Sequence, residues 1–239
     1  MTILMISGTG TEIGKTVTTA AIATAATAAG LTVAVLKPAQ TGVGPDEPGD
    51  AAEVARLAGS SVTAEELARY PEPLAPDTAA RRSGLAPVSP RAVAEAAHRL
   101  DLSHDLVLVE GAGGLLVRFD EEGNTLADVA RLLDAPVLIV APAGLGTLNA
   151  TTLTAEALRA RSLTPWGVVV GSWPAAPDLA SRCNLADLPK SAGVPLMGAV
   201  PQGSGALAPA DFRTAAPTWL GPMLHGTWSE TEFLRAWQP

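Results

Sequence analysis

The chain has 239 residues, enough for one domain with a substantial core. Apolar residues make up 47% of it but aromatic residues only 4%, which predicts an interior of alanine, valine and leucine. The net charge is −8 and no run of lysine and arginine occurs, which argues against nucleic acid or an anionic membrane as the main partner.

Cysteine usage and the amino terminus indicate the compartment. Cys183 is the single cysteine, so no internal disulfide can form and nothing points to an oxidising compartment. The apolar run ILMI near the start has no basic leader and is too short for a signal peptide or a membrane span. We therefore expect a soluble, cytoplasmic protein without a membrane partner.

Short apolar runs alternate with helical patterns along the chain. In chain order we predict a strand at 2–7, a helix at 16–29, a strand at 32–38 stopped by Pro38, helices at 50–59 and 89–100, a strand at 105–114, a helix at 125–133, a strand at 135–144, a helix at 147–160, and strands at 165–174 and 194–203. Strands that are apolar at every position suit a parallel sheet covered on both faces. The alternation therefore predicts a doubly wound, mostly parallel α/β fold.

We expect residues 1–239 to form a single domain. The Pro- and Gly-rich segment 42–49 is interpreted as a mobile loop and not as a linker between domains. After about residue 203 the pattern becomes irregular, and we expect this tail, with Trp219, Trp228 and Trp237, to pack on the domain.

The segment SGTGTEIGKT, residues 7–16, joins the first strand to the first helix and ends like a phosphate-binding loop. The usual loop has a glycine five residues before Gly14, but that position is Thr9, and the nearest glycine is Gly8. The loop is therefore one residue longer than usual. Its backbone N–H groups and the helix dipole would hold phosphates, Lys15 would reach the outer phosphates, and the Thr16 hydroxyl would bind Mg²⁺. The predicted nucleotide-binding residues here are Glu12, Ile13, Gly14, Lys15, Thr16 and Val17.

Two other strand ends carry charged residues that packing explains poorly. Glu110 ends the run LVLVE, where nucleotide hydrolases hold their metal ion, and Gly111, Ala112 and Gly113 after it would let the backbone approach a ligand. Lys37 ends the second strand and could stabilise a transferring phosphoryl group or a carbamate anion. A solvated loop glutamate and a surface lysine are the alternative interpretations.

Weaker candidates lie at other strand ends and helix starts. Asp50 is a candidate metal ligand, although it could simply cap the helix that it begins, and Asp46 competes for the same role. The helix start formed by Gly146, Thr147, Leu148 and Asn149 offers free N–H groups to an anion, unless Thr147 caps it. Because ligands of such sheets sit beyond the carboxyl ends of the strands, we add Gly171, Ser172, Pro201, Gln202 and Gly203 to the nucleotide site.

Together these segments resemble the dethiobiotin synthetase family, P-loop enzymes of biotin synthesis. The resemblance rests on GTGTEIGKT, LKPAQTG, VEGAGGLLV, APAGLGTLNATTLTAEAL and AVPQG, in this order, from residue 2 to about 203. The longer loop between Gly8 and Gly14 is that family's own form. No single segment is specific, but the set is.

The resemblance implies an ATP- and Mg²⁺-dependent cyclo-ligase that acts on 7,8-diaminopelargonate and CO₂ or bicarbonate. One amine would become a carbamate, the carbamate would attack the γ-phosphate, and the second amine would close the ureido ring with loss of phosphate. It also implies that Thr16, Asp50 and Glu110 bind the metal, that Lys37 is catalytic with Lys15, and that Thr41 contacts substrate. Members of the family are homodimers, so Gly146–Asn149 would hold the substrate carboxylate of the neighbouring subunit.

The chain departs from the family pattern at two positions. Relatives commonly place at the fifth predicted strand end an asparagine that reads adenine, whereas this chain has Gly171. Losing that amide predicts relaxed selectivity among nucleoside triphosphates, since a buried hydrogen-bond partner is what excludes other bases. Ala150 replaces a frequent histidine, which puts part of the substrate-carboxylate contact in doubt.

Three alternative functions fit the sequence less well. A partition or septum-site ATPase shares the fold class but carries an extra lysine five residues before the loop lysine, where this chain has Gly10. An amidotransferring synthetase would need a glutaminase domain with its own nucleophilic cysteine, and a non-catalytic nucleotide-binding module would leave Lys37 without a role. The histidines show no metal-ligand spacing and are interpreted as surface residues: His98, His104 and His225.

Overall fold

A computed structural model describes residues 2–237, and these form one seven-stranded sheet with the order β3-β2-β4-β1-β5-β6-β7. Every pair of neighbouring strands is parallel. The strands are β1 Ile3–Gly8, β2 Val33–Thr41, β3 Thr63–Tyr70, β4 Leu106–Gly114, β5 Val137–Ala141, β6 Pro165–Trp173 and β7 Leu196–Pro201. The predicted doubly wound α/β fold is confirmed, and the sheet is parallel throughout.

Helices cover both faces of the sheet. They are α1 Lys15–Ala28, α2 Asp50–Ala58, α3 Pro76–Ser83, α4 Pro90–Asp101, α5 Leu126–Leu133, α6 Thr147–Arg159, α7 Leu179–Ala192, α8 Pro209–Ala215 and α9 Glu230–Ala236. Along β1, Met5 packs into the core on one face while Leu4 and Ile6 pack into the core on the other. Two buried faces explain why the strands lack polar alternation.

Strand β3 has no counterpart in the sequence prediction. Its sequence, TAEELARY, is rich in good helix formers and is only partly buried, because β3 lies at the edge of the sheet. Pairing with β2, from Ala34 opposite Thr63 to Thr41 opposite Tyr70, overrides that propensity.

The predicted end of the second strand at Pro38 is wrong, since β2 continues to Thr41. Pairing of β2 with β4 stops at Leu36, while pairing with β3 continues beyond Pro38. Proline therefore lies where one neighbour has already diverged, which is where a missing N–H group costs a sheet least.

The tail after residue 203 is more regular than the sequence predicts. It contains α8, α9 and single 3₁₀ turns at 204–206, 216–219 and 222–224. Trp173 at the end of β6 meets Phe233 and Trp237 of the tail edge-on, with ring centroids 5.4 and 5.6 Å apart. The aromatic residues, few as they are, thus hold the tail against the sheet. No helix in residues 2–237 is both long and apolar enough to span a membrane.

Candidate active site

The carboxyl ends of β1, β2 and β4 lie side by side, because β4 pairs with both of the others. A cavity of about 790 Å³ opens there. It brings together predicted residues from three separate segments and from α2: Glu12, Gly14, Lys15, Thr16, Val17, Lys37, Thr41, Asp50, Ala112 and Gly113. The structure thus places these predicted residues around one cavity.

The loop between β1 and α1 has the backbone shape of an anion-binding loop. Gly14 precedes α1 with φ at 90°, a left-handed conformation that favours glycine, and no side chain caps the helix. The first N–H groups of α1 are therefore free to bind an anion, with the helix dipole in support.

Gly14 and Gly171 pack backbone against backbone. A Cβ atom on Gly14 would lie 2.0 Å from the carbonyl oxygen of Gly171, and one on Gly171 would lie 2.1 Å from that of Ile13. Neither position can hold a larger residue without moving the loop. Gly171 therefore supports the phosphate loop from below, a role that the sequence did not predict.

Glu110 is the buried acid of the site, only 1% exposed at the end of the apolar part of β4. Its Oε1 accepts hydrogen bonds from Thr16 Oγ1 at 2.9 Å and Lys37 Nζ at 2.8 Å. Its Oε2 accepts one from Thr19 Oγ1 at 2.6 Å. A solvated loop position is excluded for this residue.

Lys37 is 3% exposed and connects two carboxylates. Its Nζ lies 2.5 Å from Asp50 Oδ2 and 2.8 Å from Glu110 Oε1. Burial by itself lowers the pKa of Lys37, but the charges of Glu110 and Asp50 outweigh that effect, so the pKa is raised above its usual value. The side chain is therefore a buried cation at neutral pH and not a surface lysine.

Lys15 lies close to Lys37 but forms no ion pair with an acidic side chain of residues 2–237. Its Nζ donates to the carbonyl oxygen of Gly10 at 2.7 Å. Burial, and then the positive charge of Lys37, lower the pKa of Lys15 below its usual value. An anion with several negative charges would relieve this repulsion, which is what a polyphosphate brings.

The geometry favours Asp50 over Asp46. Asp50 contacts Lys37 and lines the cavity, whereas Asp46 is exposed in the 42–49 loop. The residue that caps α2 is Gly49, so the helix-cap interpretation of Asp50 is wrong. Gln40 Oε1 accepts from the Asp50 N–H at 2.8 Å and fixes the start of the helix beside Lys37.

The side chains at the site that could bind a metal ion suit Mg²⁺ better than a metal whose ligands all come from the protein. Within residues 2–237 no three side chains from His, Cys, Asp and Glu gather as a ligand cluster. Mg²⁺ typically takes one or two carboxylates, keeps several waters and binds substrate phosphates. Glu110, Asp50 and the Thr16 hydroxyl beside a phosphate loop match that preference.

Other predicted site residues lie outside the cavity. They are Ile13 in the loop before α1, Glu110 and Gly111 in β4, Gly171, Ser172, Pro201, Gln202 and Gly203 at the ends of β6 and β7, and Gly146, Thr147, Leu148 and Asn149 at the start of α6. The β6 and β7 ends are joined by a hydrogen bond from Gln202 N–H to the Trp173 carbonyl oxygen, 2.7 Å long. Gly146, not Thr147, caps α6, and the Thr147 hydroxyl is buried without a hydrogen-bond partner among residues 2–237.

Several residues of the site were not predicted from the sequence. The segment Pro73, Leu74, Ala75 and Pro76 lines the cavity but follows β3, which was itself missed. Thr19 was detectable, because it lies three residues after Thr16 and so shares its helix face.

The fold and the site together define a P-loop nucleotide-binding protein with a parallel, doubly wound sheet. Residues 2–209 match the family model described as an AAA domain. Relatives from Streptomyces avermitilis (69% identical, covering 100% of both chains) and Rhodococcus jostii (60% identical, covering 98% of this chain and 100% of the relative) are named ATP-dependent dethiobiotin synthetase BioD. The chain belongs to the dethiobiotin synthetase family.

Similarity to solved structures concerns the fold alone. A ParA family ATPase from Chlorobium tepidum superimposes with a TM-score of 0.57 at 14% identity, covering 94% of this chain and 96% of that one. The MinC:MinD complex of Aquifex aeolicus gives 0.53 at 14%, covering 90% and 86%. At 14% identity both likenesses show the fold alone and give no support to a switch function here.

Proposed function

We propose that the chain is an ATP- and Mg²⁺-dependent cyclo-ligase that converts 7,8-diaminopelargonate and CO₂ to dethiobiotin, ADP and phosphate. ATP dependence and ligase activity follow from its membership of the dethiobiotin synthetase family. The observation that carries the proposal is that Lys37 and Thr16 both donate hydrogen bonds to the same oxygen of buried Glu110, beside the phosphate loop. The single cysteine and the likeness to biosynthetic enzymes support a cytoplasmic location.

Thr16, Asp50 and Glu110 would hold the metal ion together with the nucleotide phosphates. Bound there, Mg²⁺ would supply positive charge to the nucleotide phosphates. The phosphate loop, Glu12 to Val17, would bind the phosphates through N–H groups, and Gly111–Gly113 leaves room for them. Ser172 and Pro201–Gly203 would lie near the nucleoside, beyond the strand ends next to the loop.

The chain's own residues fit a reaction in three steps. One amine attacks CO₂ and loses a proton, which gives a carbamate. A carbamate oxygen attacks the γ-phosphorus and ADP leaves, while Lys15 and Lys37 stabilise the negative charge between them. The second amine then attacks the carbamate carbon, phosphate leaves, and the ureido ring closes. Thr41 at the end of β2 would contact the diamine within the same cavity.

The proposed enzyme acts as a homodimer. The α6 start at Gly146–Asn149 does not line the cavity of its own chain, which supports its use by a neighbouring subunit. Leu145, Leu116 and Leu153 are 88%, 44% and 56% exposed, and a second copy would cover such apolar side chains. The α6 start, which has no side-chain cap among the described residues, would then hold the substrate carboxylate.

Incubation with ATP, Mg²⁺, bicarbonate and 7,8-diaminopelargonate is expected to release phosphate and form dethiobiotin in equal amounts. Phosphate would be measured by a coupled assay and dethiobiotin by mass spectrometry. Omitting the diamine is expected to stop both, because without the diamine no carbamate forms to accept the γ-phosphoryl group. Phosphate release that ignores the diamine would overturn the ligase proposal and favour a switch-type ATPase.

Selectivity among ATP, CTP and GTP is expected to be weak, with kcat/KM values within about tenfold, because no asparagine amide reads the base from position 171. The Cβ position of Gly171 is taken by the backbone of Ile13, so no side chain can project from there. Measuring kcat/KM for the three nucleotides under the same conditions tests this expectation. An ATP preference of about 10⁴ would contradict it.

A further inference from the structure

We propose that Thr19 is a positioning residue that decides which oxygen of Glu110 faces the metal and the phosphates. The inference rests on the proposed Mg²⁺ site but concerns a residue to which no role has been given above. Thr19 lies one turn into α1, is fully buried, and does not line the cavity. It can therefore act only through the side chain that it contacts.

The hydrogen bonds of Glu110 divide cleanly between its two oxygens. Oε1, on the cavity side, is shared by Thr16 at 2.9 Å and Lys37 at 2.8 Å. Oε2 accepts from Thr19 at 2.6 Å. Thr19 thus holds the oxygen that neither of the cavity-lining residues Thr16 and Lys37 contacts, and leaves Oε1 to those two.

The single hydroxyl hydrogen of Thr19 has two possible acceptors. They are the Glu110 Oε2 atom at 2.6 Å and the Lys15 carbonyl oxygen at 3.0 Å. The carboxylate is both nearer and charged, so it is the stronger acceptor. A threonine inside a helix commonly donates to a backbone carbonyl oxygen of the preceding turn. The Thr19 hydroxyl donates to the buried Glu110 carboxylate instead.

The Glu110 carboxylate needs such a constraint. The last torsion of a glutamate side chain has a broad energy profile, so contacts and not the chain itself set its orientation. Without Thr19 the buried Oε2 atom would lose its hydrogen bond, and no water is at hand where the residue is 1% exposed. The carboxylate would then rotate toward hydrogen-bond donors in the cavity, and Oε1 would move away from Thr16 and Lys37. Groups that orient a metal ligand in this way typically change metal affinity about 10- to 100-fold.

Thr18 provides a matched control one residue away. It is equally buried on the same helix, but its hydroxyl has no hydrogen-bond partner in the described part of the chain. Thr18→Val and Thr19→Val make the same chemical change in the same helix. Only the second removes a contact to Glu110.

The test is isothermal titration calorimetry of the full chain with a non-hydrolysable ATP analogue, with Mg²⁺ and with EDTA in its place. For Thr19→Val we expect the gain in affinity from Mg²⁺ to fall about 10- to 100-fold, while affinity in EDTA stays within about twofold. Thr19→Ser is expected to restore the gain, and Thr18→Val to match the wild type. Thermal unfolding of each variant checks its folding, and Thr19→Ala replaces a valine variant that fails to fold.

Several outcomes would overturn the inference. An unchanged Mg²⁺ gain in Thr19→Val, or an equal loss in Thr18→Val, would show that the hydroxyl has only a packing role. A wild-type chain whose affinity ignores Mg²⁺ would overturn the metal site itself, and this inference with it. That last result separates a failure of the proposed function from a failure of Thr19.

Discussion

Replacing Lys37 by methionine is expected to lower kcat for dethiobiotin formation by about 10²- to 10³-fold, the effect of removing one preorganised positive group from a reacting anion. Methionine keeps the apolar stem and removes the charge. The KM for nucleotide is expected to change much less, because the phosphate loop and Lys15 remain. Steady-state kinetics with the product followed by mass spectrometry measures both.

The same substitution is expected to destabilise the fold, and this second effect needs its own control. Glu110 would lose its buried cationic partner, and breaking a buried ion pair costs about 3–5 kcal/mol. In the double variant Lys37→Met/Glu110→Gln the buried pair is removed as a whole, and the Asp50 side chain, which is 37% exposed, stays in contact with water, so stability is expected to return toward that of the wild type. Activity is expected to stay low.

Comparison of the single and double variants separates catalysis from structure. Recovery of activity together with stability in the double variant would mean that Lys37 only neutralises Glu110. The exposed Lys190, paired with Asp187 at 3.4 Å on the surface, is the matched lysine. Lys190→Met is expected to change neither kcat nor the unfolding temperature.

Replacing Gly171 by alanine is expected to destabilise the protein by at least about 3 kcal/mol, the upper end of overpacking costs. The added Cβ atom would lie 2.1 Å from the Ile13 carbonyl oxygen and 2.5 Å from Val140 Cγ1. In a chain of this size such a loss corresponds to a fall in unfolding temperature of roughly 6–12 °C. If the loop moves to avoid the clash, nucleotide affinity falls as well, because Gly14 rests on Gly171.

Gly144 is the matched control for this substitution. It lies just beyond β5, at the same carboxyl end of the sheet as Gly171 near the end of β6, but a Cβ atom there meets nothing within 4 Å in the described part of the chain. Gly144→Ala is expected to change stability by no more than about 0.5 kcal/mol. Calorimetric unfolding and nucleotide titration measure stability and nucleotide affinity in both variants. A Gly171→Ala protein as stable as Gly144→Ala would contradict the close packing of Gly171 against the phosphate loop. The same clash predicts that Gly171→Asn cannot restore a base-reading amide.

The difference between what the sequence predicts well and badly is visible in β2 and β3. β2 is apolar because both of its faces are buried, and its pattern alone indicates a strand. β3 is half exposed at the sheet edge, so its composition suits a helix and only its pairing with β2 makes it a strand. The cavity wall after β3 was missed for the same reason.

Candidate site residues follow the same division. Lys15, Thr16, Lys37 and Glu110 stand out in the sequence because polar residues at the ends of buried strands and of a glycine-rich loop need a chemical reason. Gln40 does not stand out, since glutamine is ordinary in such a position, and Thr19 is indicated only by its spacing from Thr16. The hydrogen bond of Thr19 joins it to Glu110, 91 residues away, whereas that of Gln40 to the Asp50 N–H spans 10 residues.

The sequence by itself determined the doubly wound fold, the phosphate loop, the family and most of the charged residues of the site. These are local properties, because periodicity, glycine spacing and a buried charge can be recognised within a few residues. Only the tertiary structure decided that Asp50 and not Asp46 contacts Lys37, that Gly171 packs against the phosphate loop, and that Thr19 donates a hydrogen bond to Glu110. Those contacts depend on the register of neighbouring strands and on how closely α1 approaches the sheet, which no local pattern contains.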